Sequence, residues 1–147
     1  EVRDWADYLY DKAAFQAISG KKYHGQRNFV NRFQKTYPEA VLSPIVSDNI
    51  SAARAFIETQ YARVFDGNPM AKAENEAILE LFDNYALYGV RGSILTVGEN
   101  VVGVTVGEVI GDTLFIHVEK ADISSATLSR VSRCVQYGSG YAKLLKE

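Results

Sequence analysis

The chain has 147 residues, of which 47% are hydrophobic and 23% are charged, and its formal net charge is −2. This composition is typical of one globular domain and excludes a disordered chain. The slightly acidic balance excludes a nucleic-acid-binding surface that covers the whole protein, although a local basic patch stays open.

The single cysteine, Cys134, excludes an internal disulfide and a metal site built from several cysteines. No histidine is near it in the sequence, so we expect it to pack as a small apolar side chain. No apolar run approaches the roughly 20 residues needed to cross a bilayer, and no signal peptide is visible. The chain begins at Glu1 rather than at Met, so we expect the gene to start earlier. A cytoplasmic location is the default expectation, with peripheral membrane association as its alternative.

The first 38 residues predict a leading helical segment. Residues 4–19 pass from aromatic side chains into a short helix that Gly20 ends. Residues 21–37 predict a second helix, which Pro38 closes. Its apolar residues follow the helical period: Phe29, Val30, Phe33 and Tyr37.

The second helix carries five of the sixteen basic residues, and no acidic residue follows them before Glu39. A solvated helix face is the commoner origin of such a charge run, and a surface that contacts phosphates is the alternative. His24 and Asn28 are four residues apart and should share one side of the helix. The candidate contacts to the phosphates of a donor or acceptor are Lys22, His24, Arg27 and Asn28.

The middle of the chain alternates between strand and helix signals. Residues 40–46 predict a strand, and Pro44 places it at a sheet edge or beside a bulge. A helix follows to about Phe65, and residues 66–69 read as a loop. Residues 70–88 have the strongest helical pattern. Its broad apolar stripe is formed by Ala77, Ile78, Leu81, Phe82, Tyr85 and Ala86.

Residues 89–121 contain three β-rich runs of strand length, separated by glycine-containing turns at residues 98–100 and 111–112. This spacing predicts an antiparallel meander. A two-residue turn at 111–112 would set the register of the second hairpin. The resulting pairs are Val106 with His117 and Val104 with Glu119.

Alternation along the strands would then put His117 and Glu119 on one face, with Phe115, and Glu108 would join them across the ladder. The opposite face should belong to the core. Its members would be Thr105, Val109, Leu114, Ile116 and Val118.

After the meander, residues 122–133 predict a weaker, serine-rich helix and residues 137–141 a turn. From residue 40 the order β-α-α-β-β-β-α resembles the first part of the GNAT acyltransferase fold. The expected fold is therefore α+β and GNAT-like, a mostly antiparallel sheet flanked by helices, with its C-terminal strands missing. We expect one partial domain over residues 1–147.

Several short motifs carry a closer resemblance. They are Asp7-Tyr-Leu-Tyr, Gly20-Lys-Lys-Tyr-His, Arg27-Asn, Phe33, Glu74, Gly107-Glu108 and His117-Val-Glu-Lys-Ala121. Together they resemble the family of phosphatidylglycerol lysyltransferase C-terminal domains over roughly residues 5–123. Ser124-Ser125-Ala126-Thr127 departs from the family's Gly-Ala-Tyr-like helix start, and the family's later motifs are absent, as in a truncated piece.

The resemblance implies an acyl- or aminoacyl-transferase. The donor would be acyl-CoA or aminoacyl-tRNA, the acceptor an amine or hydroxyl such as a lipid headgroup, and no covalently bound cofactor is expected. In a GNAT-like fold the helix after the last strand would hold an anionic part of the donor, because unpaired N–H groups at a helix start attract anions. The residues placed there are Lys120, Ala121, Ser124 and Ser125.

The candidate catalytic residues are His117, Glu119 and Glu108. A histidine inside an apolar strand is more often a satisfied, partly buried side chain than a catalyst, but the two carboxylates expected on the same face make the two interpretations about even for His117. In the functional interpretation it is a general base for an incoming amine or hydroxyl, oriented by a carboxylate. The three residues would be a thin ligand set for zinc, so no metal site is expected.

Two further hypotheses stay open at the level of sequence. The chain could be a non-catalytic GNAT-like module that binds an anionic partner, such as RNA, a lipid headgroup or a nucleotide, through residues 21–35. It could also be a structural part of a parent protein whose site is completed by other strands. The sequence leaves the oligomeric state undetermined.

Overall fold

The computed structural model describes residues 20–122, together with Asp11, Ala13 and Ala17, and Gln26 by its backbone alone. Ala13 and Ala17 are helical, as predicted for residues 4–19. The predicted helix over 122–133, the turn at 137–141, and Ser124, Ser125 and Cys134 lie outside the described residues.

The elements follow the predicted order. A 3-10 turn over Lys21–Tyr23 leads into α1 (His24–Thr36), and then come β1 (Ala40–Pro44), α2 (Ile50–Val64), α3 (Pro69–Asp83), the short α4 (Tyr85–Tyr88), β2 (Arg91–Val97), β3 (Asn100–Ile110) and β4 (Thr113–Ala121). The predicted helix over 70–88 is thus divided at Asn84, whose side chain turns back to donate to the Glu80 carbonyl (3.0 Å).

The strands form a sheet in the order β1-β2-β3-β4, and every neighbouring pair is antiparallel. The predicted α+β class, with an antiparallel sheet flanked by helices, is confirmed, whereas the GNAT-like assignment stays a prediction. Among the described strands β1 is at an edge, as Pro44 predicted, because proline has no N–H to donate to a second neighbour.

Each face of the sheet has its own core. Ile94 and Leu95 are adjacent on β2 and therefore point to opposite faces. On the α2–α3 face, the buried residues are Ile45, Ala53, Phe56, Ile57, Ile78, Phe82, Val90, Ile94, Val104, Val106 and Val118. On the α1 face, the buried residues are Phe33, Leu95 and Val102, with Phe29 and Tyr37 packed against them. The sheet therefore separates α1 from α2 and α3.

Tyr85 begins α4 and lies against β2, where a Cβ added to Gly92 would come within 2.9 Å of the tyrosine oxygen. The Tyr85 hydroxyl is buried and has no hydrogen-bond partner among the described residues. Desolvation of this half-buried phenol disfavours the charged form and raises the pKa of Tyr85 to about 12.

The raised pKa predicts how stability changes at alkaline pH. Between the ordinary pKa of 10.0 and about 12, the unfolded chain loses the Tyr85 proton while the folded chain keeps it. The unfolded state then binds fewer protons, so the free energy of unfolding falls as the pH rises through this window. Tyr85→Phe should flatten that fall, and it should be at least as stable as the wild type at neutral pH because an unpartnered buried hydroxyl is removed.

Urea unfolding of the wild type and Tyr85→Phe at neutral pH and at several alkaline values checks this prediction. Tyr61→Phe controls for the loss of one phenol elsewhere, since the Tyr61 ring contacts the Phe65 ring at the end of α2, in a tilted arrangement with the ring centres 4.8 Å apart. An identical pH dependence of stability in the wild type and Tyr85→Phe would contradict it.

Candidate functional site

The hairpin of β3 and β4 contains a bulge that moves His117. From Ile110–Thr113 to Gly107–Ile116 the pairs follow the predicted register. The register then shifts by one residue, so that Val106 pairs with Val118 and Val104 pairs with Lys120. His117 is the extra residue on β4, as in a β-bulge. The predicted pairs, Val106 with His117 and Val104 with Glu119, are therefore wrong.

The bulge also separates His117 from Glu119. Glu119 pairs with Thr105, which alternates with the α2–α3 core residues Val104 and Val106 and so lies on the α1 face. His117 lies with Val118 on the other face, where both line one cleft. The prediction that His117 and Glu119 share a face is wrong, because an inserted residue interrupts the alternation that it assumed.

The outer half of this hairpin is less buried than the alternation suggested. Val109 and Ile116, which were predicted for the core, are 46% and 37% exposed. Thr105 and Val118 are buried as predicted, but Val118 faces the cleft side. The β3–β4 hairpin therefore extends beyond the two cores at its turn.

Gly107 makes the close approach of the two strands possible at the bulge. A Cβ at this position would collide with the Phe115 carbonyl oxygen and would lie 3.1 Å from the Ile116 side chain. Any other residue would push β3 and β4 apart next to His117, so the shape of the site depends on this glycine.

His117 and Glu108 form the polar centre of the site. Nε2 of His117 and Oε1 of Glu108 are 2.7 Å apart, and both side chains are partly exposed. An ionised carboxylate can only accept a hydrogen bond, so Nε2 carries the ring proton and donates a hydrogen bond to Glu108. In the neutral ring this leaves Nδ1 as the basic nitrogen. The pair is thus arranged so that a carboxylate orients an imidazole base.

A second polar contact joins β4 to α3 beside this pair. Lys120 Nζ donates to Glu74 Oε1 at 2.6 Å, across 46 positions of sequence. Lys120 was predicted to contact an anion at the next helix start, and the structure places its ammonium against α3. Ala121 pairs with Gly103 at the end of β4.

An open cleft of about 470 Å³ lies between α3 and the hairpin. Its volume is within the range of about 300–1,000 Å³ that is usual for small-molecule sites. The lining residues are Glu74, Ala77, Ile78, Leu81, Tyr88, Val90, Glu108, His117 and Val118. Four of them come from one side of α3 at helical spacing, and most of the wall is aliphatic.

A model of the family described as phosphatidylglycerol lysyltransferase, C-terminal, matches residues 1–128. The chain belongs to this family. It is also similar to the crystal structure of a conserved protein of unknown function from Bacteroides thetaiotaomicron VPI-5482, with a TM-score of 0.76 and 30% sequence identity over 92% of this chain and 47% of that one. The family domain described here thus spans about half the length of that protein. No curated protein matches the chain.

Three of the family motifs meet at the cleft. Glu74 from α3, Glu108 from β3 and His117 from β4 line it. His117 contacts Glu108 at 2.7 Å, and Lys120, from the same motif as His117, contacts Glu74 at 2.6 Å. Because motifs that resemble one family meet at one cavity, the cleft is the candidate active site of this family domain.

Tyr88 completes the rim and was missed from the sequence. Its hydroxyl donates to Glu80 Oε1 at 2.6 Å, and this bond to a carboxylate raises the pKa of Tyr88.

The aliphatic wall from Ala77, Ile78 and Leu81 was assigned entirely to the core. The available signal was the position of Glu74, three residues before Ala77 and so on the same side of the helix.

The predicted phosphate contacts lie elsewhere. Asn28 Nδ2 is 3.1 Å from His24 Nε2, Arg27 Nη1 donates to the Gly20 carbonyl at 2.8 Å, and Lys22 Nζ lies 5.5 Å from the Tyr23 ring centre. These residues belong to α1 and the turn before it, and α1 packs on the face of the sheet opposite the cleft. The structure does not bring them to His117, and an anionic partner for this surface stays a prediction.

Within residues 20–122 and the three earlier described positions, no three side chains of His, Cys, Asp or Glu are grouped so as to hold a metal ion. The helices of that same part are too short or too polar to span a membrane.

Proposed function

We propose that the cleft catalyses transfer of an acyl or aminoacyl group from a thioester or aminoacyl-tRNA donor to an amine or hydroxyl acceptor. The observation that supports this most is the 2.7 Å contact of His117 with Glu108 at the rim of a largely aliphatic cleft, in a chain of the lysyltransferase C-terminal family. Family membership favours aminoacyl transfer, and the pair supplies a base for it.

In this mechanism Nδ1 of His117 removes the proton of the nucleophile as the nucleophile attacks the donor carbonyl. Glu108 keeps the ring in the required tautomer and stabilises the imidazolium that forms. The same nitrogen returns a proton to the departing thiol or hydroxyl group. The aliphatic wall holds the reactants in place and excludes competing water, so positioning contributes much of the acceleration.

The donor is proposed to enter from the end of β4. Lys120, Ala121, Ser124 and Ser125 remain the proposed contacts for its anionic part, in the GNAT-like arrangement predicted from the order of elements. A lipid headgroup is one acceptor consistent with the family. Association with a membrane surface, from a cytoplasmic location, belongs to the same proposal.

Transfer measured with radiolabelled acyl-CoA and with aminoacyl-tRNA tests the proposal. The 147-residue chain should transfer label from one of these donors. His117→Gln should lower the rate by about 10²–10⁴-fold, the usual contribution of a general base. Glu76→Gln is the control, since Glu76 is an exposed carboxylate on α3 that pairs with Lys72 and does not line the cleft. Absence of transfer from both donors, or equal losses in the two variants, would count against the proposal.

A further inference from the structure

We infer that the exposed side of α1, together with the turn before it, binds the backbone of a folded RNA. This surface is separate from the cleft, since α1 packs on the opposite face of the sheet. The inference goes beyond the proposed function and does not depend on the transfer reaction. It rests on the placement of the basic side chains and of their carboxylate partners in the described part of the chain.

Positive charge is concentrated on this one segment. Residues 21–38 contain five lysines and arginines and no aspartate or glutamate, although the whole chain has a formal net charge of −2. The acidic side chains therefore belong to the other parts of the chain, where they would repel a polyanion. One basic element in an acidic protein directs a polyanion to one place.

Ion pairing distinguishes this segment from the rest of the described chain. Between residues 40 and 122, Arg91 is the exception, and the other four lysines and arginines contact a carboxylate: Arg54, Arg63, Lys72 and Lys120. Four exposed cations of residues 21–38, by contrast, have no carboxylate partner among the described residues: Lys21, Lys22, Arg32 and Lys35. Charge that is not compensated within the protein is available to a partner of opposite charge.

The exposed side of α1 also carries amides among its cations. Asn28, Asn31, Arg32 and Lys35 recur at spacings of three and four and are exposed, whereas Phe33 is buried. Basic and amide side chains supply most of the contacts that proteins make with phosphates and sugars. With 13 residues, α1 is about 20 Å long, so it can lie against several phosphates.

Two features favour RNA over an anionic membrane as the partner. Phe29 and Phe33, on the apolar side of α1, pack against the sheet, whereas a helix in a membrane interface buries its apolar side in the lipid. An amide contributes only at hydrogen-bond distance, and the minor groove of an RNA helix displays ribose hydroxyls beside the phosphates. The chemistry recognised is therefore a phosphate backbone with 2′-hydroxyl groups.

Binding of a labelled RNA hairpin to the 147-residue chain, measured by fluorescence anisotropy at several salt concentrations, tests the inference. Four phosphate contacts should make the affinity fall about a hundredfold between about 50 and 200 mM salt. A DNA hairpin of the same sequence should bind about fivefold more weakly, because it lacks the 2′-hydroxyls and so loses about one ordinary hydrogen bond.

Single and double variants locate the contact. Lys35→Gln should lower the slope of log affinity against log salt by about 1, and Arg32→Gln with Lys35→Gln should lower it by about 2, one for each lost phosphate contact. Lys72→Gln is the matched control, because it removes an exposed lysine from another helix, where Lys72 pairs with Glu76. Its slope should equal that of the wild type, and circular dichroism checks that each variant keeps its fold.

Absence of RNA binding would overturn the inference and leave the exposed side of α1 as a solvated helix face. The same holds if the wild type, Lys35→Gln and Lys72→Gln share one salt slope. Equal affinities for the RNA and DNA hairpins would also overturn it. So would displacement of the RNA by phosphatidylglycerol vesicles that bind more tightly, since the partner would then be an anionic membrane.

The RNA surface and the proposed reaction fail separately. The hairpin carries no group to transfer, so it can bind even if neither donor supports transfer, and then only the proposed reaction falls. Conversely, transfer from acyl-CoA that depends on His117, in a chain that does not bind RNA, would leave the reaction and remove the RNA surface.

Discussion

Replacement of Gly107 by alanine should lower the free energy of unfolding by about 3 kcal/mol, the upper end for forcing an extra methyl group into a packed site. The added Cβ would overlap the Phe115 carbonyl oxygen, which is backbone and cannot rotate away. The strands β3 and β4 must then separate where the register shifts between Val106 and Gly107. Because small domains are stable by only about 5–15 kcal/mol, this is a large fraction of the total.

Gly25→Ala is the matched control for this change. Gly25 is in the first turn of α1, and a Cβ added there meets no atom within 4 Å. Alanine is the better helix former by up to about 1 kcal/mol, so this variant should be as stable as the wild type or more so. Urea unfolding followed by circular dichroism compares the three proteins. Similar midpoints for Gly107→Ala and Gly25→Ala would show that the strands tolerate a side chain at the bulge.

The elements of this fold were predictable because each has a local signal. Pro44 indicated an edge strand, Gly111 with φ of 63° made the two-residue hairpin turn, and Asn68 caps α3 by accepting from Met70 N at 2.9 Å. Each of these signals acts within a few residues. The bounds and order of the strands therefore followed from the sequence.

The register of the last hairpin was predictable only as far as the bulge. The turn at 111–112 sets the pairs up to Gly107–Ile116, and one inserted residue then reverses the face of everything beyond it. Gly107 is at the position of the shift, but the sequence has a second glycine on the same strand, Gly103, and does not say which of them is next to a bulge. The close approach of the Phe115 carbonyl to Gly107 is visible only in the structure.

The candidate site was predictable only in part, because the turn sets the hairpin register only as far as the bulge. Glu108 is within the span set by the turn, and His117 is the inserted residue directly after it, so the structure places the two side chains in contact as expected. Glu119 follows the bulge and is on the other face. The wall from α3 depends on how a helix packs on a sheet, and Glu74 is 46 positions from Lys120. Local sequence patterns do not report contacts between residues so far apart, so the cleft could not be predicted from the sequence.

If Glu108 acts by orienting His117, the two residues should be coupled in the turnover number. We expect His117→Gln to lower kcat by about 10²–10⁴-fold, and Glu108→Gln to lower it by roughly 10–100-fold, because the ring remains but is less well oriented. The double variant should be no slower than His117→Gln alone, since a carboxylate has nothing left to orient. Groups that act as a unit show this loss of additivity.

Measurement of kcat at saturating acceptor separates this effect on catalysis from a change in acceptor binding. The cycle of Glu108→Gln with Glu76→Gln is the control and should be additive, since Glu76 pairs with Lys72 on α3 and does not line the cleft. Multiplicative losses in the cycle of Glu108 with His117 would mean that the 2.7 Å contact is structural and that the two side chains contribute to catalysis independently.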